Sequence, residues 1–304
     1  MPKPVRELLG QRSPILYDGA TGTFLQQLGM PVRQTPEALV MENPAMIMLA
    51  AEAYVKAGSQ IILTCTFGGT AVRLLEAGLD ANAREINVRA AQLAKQAAGS
   101  RAFVAGSMGP LGKLPLAFGQ LTYRDAVDQF QDQAEALIDG GVDLIAIESM
   151  SDLQEMLAAI EGVRRVTAEL PIFASMSFDT NGKTMLGVTP TLAARELMAQ
   201  GIDALGANCG HGPEDMASII REMRSSARNA LLIAKPNAGI PEVRREGIVY
   251  PSDPARFANL AREWVRAGAN IIGGCCGTNP EFIVALKEVL TPRASAPSRQ
   301  QIIS

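Results

Sequence analysis

Eight short apolar runs, each followed by a longer amphipathic segment, constrain this chain more than any other feature. The runs are 15–19 (ILYDG), 60–66 (QIILTCT), 102–107 (AFVAGS), 143–148 (DLIAIE), 172–177 (IFASMS), 203–209 (DALGANC), 231–235 (LLIAK) and 270–275 (NIIGGC). Helical periodicity fills the intervals at 44–57, 82–98, 122–139, 152–168, 191–200, 213–227 and 254–267, and a last helix follows at 280–290. Several of these segments end on a helix-stopping glycine: Gly58, Gly141, Gly201 and Gly268. Strands that are apolar almost throughout are buried on both faces, as in a parallel sheet. Eight such units predict a single (β/α)8 TIM barrel over residues 1–290 rather than an open doubly wound sheet. No Gly-x-Gly-x-x-Gly follows the first strand, which weighs against a dinucleotide-binding fold. The Ser-, Pro- and Arg-rich stretch 291–304 reads as a flexible tail.

Composition excludes several functions. The 28 Lys and Arg are interspersed with 31 Asp and Glu for a net charge of −3, so no basic stripe invites nucleic acid or an anionic membrane surface. No run of about 18 apolar residues could span a bilayer. The opening MPKPVRELLGQRSP lacks the apolar core and cleavage site of a secretory signal, so a cytoplasmic chain is expected. In that reducing setting, four cysteines serve more often as metal ligands or reactive thiols than as disulfides.

Barrel chemistry gathers where the strands end at their C-terminal side. Asp18-Gly19, Thr64-Cys65-Thr66, Glu148, Asn208-Cys209, Pro236-Asn237 and Cys275-Cys276 all fall there. Strands six, seven and eight are neighbours in the ring, which lets Cys209, Cys275 and Cys276 reach one metal. Three thiolates suit Zn2+ and leave a fourth position open. Adjacent cysteines on a regular strand point to opposite faces. The glycines of Gly273-Gly274-Cys275-Cys276-Gly277 give the backbone freedom to turn both inward. A vicinal disulfide, or two small residues in a tight buried turn, are the competing readings. Glu148 could meet a substrate ammonium or form a structural ion pair. The turn Asp18-Gly19-Ala20-Thr21-Gly22 could offer backbone N–H groups to a carboxylate, or be a plain βα turn. Cys65 is read as a wall residue, and Met108, Met150 and Met185 as core or wall packing. His211, the sole histidine, could be a ligand or base, though a loop histidine is more often neither.

Asn208-Cys209 together with the GGCCG segment resembles the homocysteine S-methyltransferase family, and the resemblance runs through nearly the whole chain. Thr64-x-Thr66-Phe67 and Gly106-x-Met108-Gly109-Pro110 also look like its motifs. Lys235-Pro236-Asn237-Ala238-Gly239-x-Pro241 is most similar to the homocysteine module of cobalamin-dependent methionine synthase. The resemblance implies zinc on Cys209, Cys275 and Cys276, with Asn237 in the fourth position when substrate is absent. It implies that Glu148 holds the substrate ammonium and the backbone at Ala20-Thr21 its carboxylate, with Asp18, Thr64 and Asn208 in the same pocket. The continuation Thr21-Gly22-Thr23 departs from the larger residues often found there in the family. The methyl donor implied is a methyl-corrinoid on a separate protein or domain. S-methylmethionine, betaine, or another donor or thiol acceptor are alternatives within the same chemistry. Two readings from other classes are a lyase or pterin-dependent barrel enzyme and a non-catalytic zinc- or thiol-binding module.

Overall fold

The computed structural model describes residues 3–112, 121–179, 181–210, 212–244 and 247–291. Eight parallel strands form one sheet: β1 (Ile15–Leu16), β2 (Ile61–Leu63), β3 (Phe103–Met108), β4 (Leu144–Met150), β5 (Ile172–Met176), β6 (Ala204–Asn208), β7 (Leu231–Lys235) and β8 (Ile271–Ile272). Each pairs with the next in sequence from β2 to β8, and β8 pairs with β1 through Ile15↔Ile271 and Leu16↔Ile272. A single parallel bridge, Tyr17↔Ile61, closes the ring between β1 and β2. The fold is a (β/α)8 barrel.

The helices begin where their capping chemistry dictates. Asn43, Thr122, Asp152, Thr189, Asp253 and Asn279 each accept a hydrogen bond from a first-turn N–H, and Pro44, Pro190, Pro254 and Pro280 occupy first helical positions. Thr122 and Asp125 form a reciprocal capping box. The inward faces of these helices bury Phe130, Phe257 and Trp264 completely against the outer face of the sheet. Inside the barrel, Ile15, Tyr17, Ala146, Phe173, Ile233 and Ile271 pack in one cluster with Val5 and Leu8 of the first helix, Lys3–Leu9. That helix plugs the end of the barrel opposite the site, and the periodicity of so short a segment did not announce it.

Three strands are shorter than their apolar runs predict. Those at 15–19, 60–66 and 270–275 give only two or three strand residues, because the Asp18 and Gln60 side chains and turn backbone take over the pairing. Asp18 accepts the Leu63 N–H at 2.6 Å, and its carbonyl accepts from the Gly274 N–H at 3.0 Å. Conversely, β4 continues past Glu148 to Met150, with its register interrupted between Ile147 and Met150 and Ser149 at φ +61°. Met108 and Met150 are core residues as expected, but Met185 is 66% exposed and is corrected to a surface residue. A hairpin, Glu242–Arg244 with Gly247–Val249, was also unforeseen. His211 and the tail from 292 lie outside the described residues. Among the described residues no single helix is long and apolar enough to cross a membrane.

Candidate metal and thiol site

Cys209, Cys275 and Cys276 meet at the C-terminal mouth of the barrel, with their sulfur atoms all within 4.8 Å of one another. Local backbone makes this possible. Cys209 sits at φ +56° directly after β6, which turns its side chain toward β8. Gly274 and Gly277 let the Cys275-Cys276 turn pass where Cβ atoms would strike Thr278 and Tyr250. The turn is pinned by Cys275 N–H to Pro236 O (2.8 Å) and Ala238 N–H to Cys276 O (2.9 Å). Asn237 lies between those two anchors, 4% exposed, and its Oδ1 is buried without a partner.

The thiols are electrostatically frustrated as they stand. Contact with Cys275 stabilises the Cys209 thiolate, but contact with Cys276 and burial override it and push the thiol up to about 12. For Cys276, contact with Cys209 is likewise outweighed by Cys275 and burial, again giving about 12. Cys275 is raised too, first by its contact with Cys209. Three thiolates crowded this closely repel one another, and a dication is the natural compensation. The donor set therefore fits a thiophilic metal.

A buried charge cluster lies beside the sulfurs. Lys235 Nζ, at the end of β7 and 3% exposed, is 3.2 Å from Asp18 Oδ1, 3.6 Å from Glu148 Oε2 and 3.9 Å from the Tyr17 ring centre. Burial disfavours its charge, but Glu148 and Asp18 more than restore it and raise its pKa. Burial lifts Asp18 to about 6, against the opposing pull of Lys235 and the Leu63 N–H. Glu148, 7% exposed, also accepts from Ser107 Oγ at 2.7 Å. Asp18 is thus held by the protein's own groups. The same is true of Thr64, which bonds Thr66 Oγ1 at 2.6 Å and the Ser107 N–H at 2.9 Å.

Asn208 is locked as well. Its Oδ1 accepts from the Ser149 N–H (2.8 Å) and Ser175 Oγ (2.7 Å), while Nδ2 faces Ser149 Oγ (2.7 Å) and Cys275 Sγ (3.7 Å). The Ala20 N–H donates to Thr278 Oγ1 (3.1 Å), which in turn donates to Cys275 O (2.7 Å), tying the Asp18–Gly22 turn to the cysteine turn. Thr21 opens the helix Thr21–Gln27, whose N-terminus has no side-chain cap. Cys65 is a buried wall residue. Lys235, Ser107, Ser149 and Tyr250 were not singled out as site residues, because nothing in a sequence marks a buried lysine, a positive-φ serine or a tyrosine beyond a hairpin as belonging to one pocket.

Glu148, Lys235, Thr64 and the three cysteines line a cavity of about 690 Å³ that extends outward past Phe67 and Arg33. Phe67 packs over Gly109, so the motifs after β2 and β3 form one wall; the Gly109 N–H also donates to Phe67 O at 2.9 Å.

A barrel with a three-cysteine cluster at its mouth defines a class of thiol- or metal-handling enzyme, and comparison with known proteins narrows it. The family model of homocysteine S-methyltransferases matches residues 15–290, and this chain belongs to that family of methyltransferases. Methionine synthases of Mycobacterium leprae (strain TN) and Mycobacterium tuberculosis (strain ATCC 25618 / H37Rv) are each 31% identical over 294 residues. That alignment covers 91% of this chain but 24% of those proteins, so the chain spans about a quarter of the curated relatives it matches. Among solved structures, the metallated form of the homocysteine methyltransferase MmuM from Escherichia coli superposes with a TM-score of 0.80 at 26% identity, covering 94% of this chain and 99% of that one.

Proposed function

We propose that this chain transfers a methyl group to the sulfur of homocysteine, giving methionine, at a zinc ion held by Cys209, Cys275 and Cys276. The observation that carries this reading is the convergence of three sulfurs within 4.8 Å on the wall of a cavity of about 690 Å³. What the ion supplies when bound is positive charge that removes the thiol proton, making the substrate a thiolate at neutral pH. Asn237 would supply the fourth ligand in the absence of thiol, a role its buried, unpartnered Oδ1 suits.

The remaining groups bind and orient. Asp18 and Glu148 share one lysine, so the buried cluster carries one uncompensated negative charge when both carboxylates are ionised. A substrate ammonium at Glu148 completes it. The uncapped turn at Thr21 receives the substrate carboxylate, since first-turn N–H groups lack intrahelical partners. Ala20 contributes by position, its own N–H being taken by Thr278. The chain's further task is to hold sulfur, methyl carbon and leaving group in line.

The donor assigned is a methyl-corrinoid carried by a separate protein or domain in the cytoplasm, supported by relatives named methionine synthase and about four times longer. A small donor such as S-methylmethionine or betaine is the second reading, favoured by near-complete coverage of MmuM. The test is to purify the protein, measure zinc per chain, and supply homocysteine with methylcobalamin or S-methylmethionine in parallel. One zinc per chain and thiol-dependent methionine formation from one donor are expected. Zinc without methyl transfer from any donor would reduce the chain to a binding module, and absence of zinc would sink the proposal.

A further inference from the structure

The cavity is polarised along its length. Its inner end holds the three cysteines and Glu148, and the cation there, Lys235, is already shared between Glu148 and Asp18. Two arginines, Arg33 and Arg73, line its outer part. Neither is spent on the protein's own structure. Among the described residues Arg33 has no hydrogen-bond or ion-pair partner. Arg73 stands 3.9 Å from Glu76, whose side chain is 60% exposed, and its Nη1 is shut off from water with no hydrogen-bond acceptor. A guanidinium keeps its charge and presents its donors in a planar fork, so a buried N–H of this kind calls for an acceptor. Two other acids of this region are committed elsewhere. Glu155 accepts the Leu111 N–H at 2.7 Å. Glu37, 3% exposed, accepts from Thr35 Oγ1 and from the Gly68 N–H at 2.6 Å. That last bond ties the segment carrying Arg33 to the loop leading into Arg73, so both arginines stand on one joined wall.

We propose that Arg33 and Arg73 form an anion subsite that takes a carboxylate or phosphate group of the methyl donor and turns its methyl-bearing end toward the sulfurs. The inference deepens the zinc–thiol reading above and rests on it. Three thiolates around one dication leave net negative charge at the inner end, beside Glu148. A donor whose methyl sits on a cationic sulfur or nitrogen is drawn inward there, while its anionic group meets the arginines. Opposite charges at the two ends thus fix which way round the donor enters. The carboxylate of S-methylmethionine or betaine and the nucleotide phosphodiester of a corrinoid offer the same chemistry to this wall. Arg73 carries the larger share, because its Nη1 is desolvated. Arg33 is exposed and screened by water, so it contributes less.

The experiment measures donor binding by calorimetry on the zinc-loaded full chain, without homocysteine so that no methionine forms. Two donor pairs differ in one anion: S-methylmethionine against its carboxamide, and methylcobalamin against methylcobinamide, which lacks the phosphodiester. The parent should bind the charged member of one pair roughly tenfold more tightly, the scale of a charge-assisted hydrogen bond. That pair names the source of the anion. In R73Q the preference should vanish, and in R73K, which keeps the charge without the fork, part of it should remain. R33Q should reduce it less than R73Q does. A preference that survives in R73Q overturns the inference, as does a parent that shows none in either pair or binds none of the four donors. If R73Q does not fold, an undiminished preference in R73K overturns it instead. Zinc content and methionine formation with homocysteine added are read on the same parent protein. A chain with both but no charge preference fails only this inference; a chain without zinc or methionine fails the zinc–thiol reading, whatever its preference.

Discussion

Glu148 is fixed by the fold at the place proposed for the substrate ammonium. Its Oε1 is fixed by Ser107 and its Oε2 lies 3.6 Å from Lys235, so it is oriented before any ligand arrives. Replacing it with glutamine keeps the shape and removes the charge. Glu148→Gln should weaken homocysteine binding by roughly 10- to 150-fold, the equivalent of losing about 1.5–3 kcal/mol from a charge-assisted hydrogen bond. Zinc content should not change. Titration calorimetry with homocysteine and with mercaptopropionate, which has no amino group, checks this. Mercaptopropionate should bind the parent and the variant alike. Equal affinity of the parent for the two thiols would remove the ammonium role. The sequence pointed to Glu148 through its place after an apolar run, but Lys235, which it shares with Asp18, was legible only as the last residue of the seventh apolar run.

At the scale of elements, the helix Leu153–Val166 carries a titrating group in its first turn. Glu155 is buried there and accepts the Leu111 N–H at 2.7 Å. Burial raises its pKa from 4.5 to about 7, despite that N–H and a nearby arginine. The folded pKa lies above the unfolded one, so its contribution to stability is fully present below about 4.5 and is lost as pH rises through about 7. Asp18 acts with the same sign over a lower window, from 3.8 to about 6. Urea unfolding of Glu155→Gln should therefore show a flatter pH profile across this range and greater stability than the parent above about pH 7.5. A variant less stable than the parent at alkaline pH would show that the carboxylate is needed ionised. The long helices between strands were legible to within a few residues, because Asn-Pro, Thr-Pro and Asp-Pro starts are local chemistry, whereas the short helices Lys3–Leu9 and Thr21–Gln27 were not. Strand ends were not, because β1 and β2 hand part of their pairing to the Gln60 and Asp18 side chains and β8 hands its own to turn backbone, and that exchange depends on tertiary neighbours.

For the whole molecule, the barrel brings three cysteines separated by up to 67 residues to one point. Strand order alone made that convergence legible, since β6, β7 and β8 had to be neighbours once eight units were counted. The groups packed around the sulfurs were not legible, since Ser149 and Cys209 adopt positive φ and Tyr250 arrives from beyond an unforeseen hairpin. The central claim is that these cysteines hold one zinc whose exchangeable fourth ligand gives way to a substrate thiol. Zinc-edge X-ray absorption of the purified protein, recorded before and after homocysteine, tests it most directly. The account predicts three sulfur ligands and one oxygen or nitrogen before the thiol and four sulfurs after it, with about one proton released per thiol at pH 7 because the free thiol is mostly protonated there. Four sulfurs from the start, or a spectrum that homocysteine leaves unchanged, would contradict it.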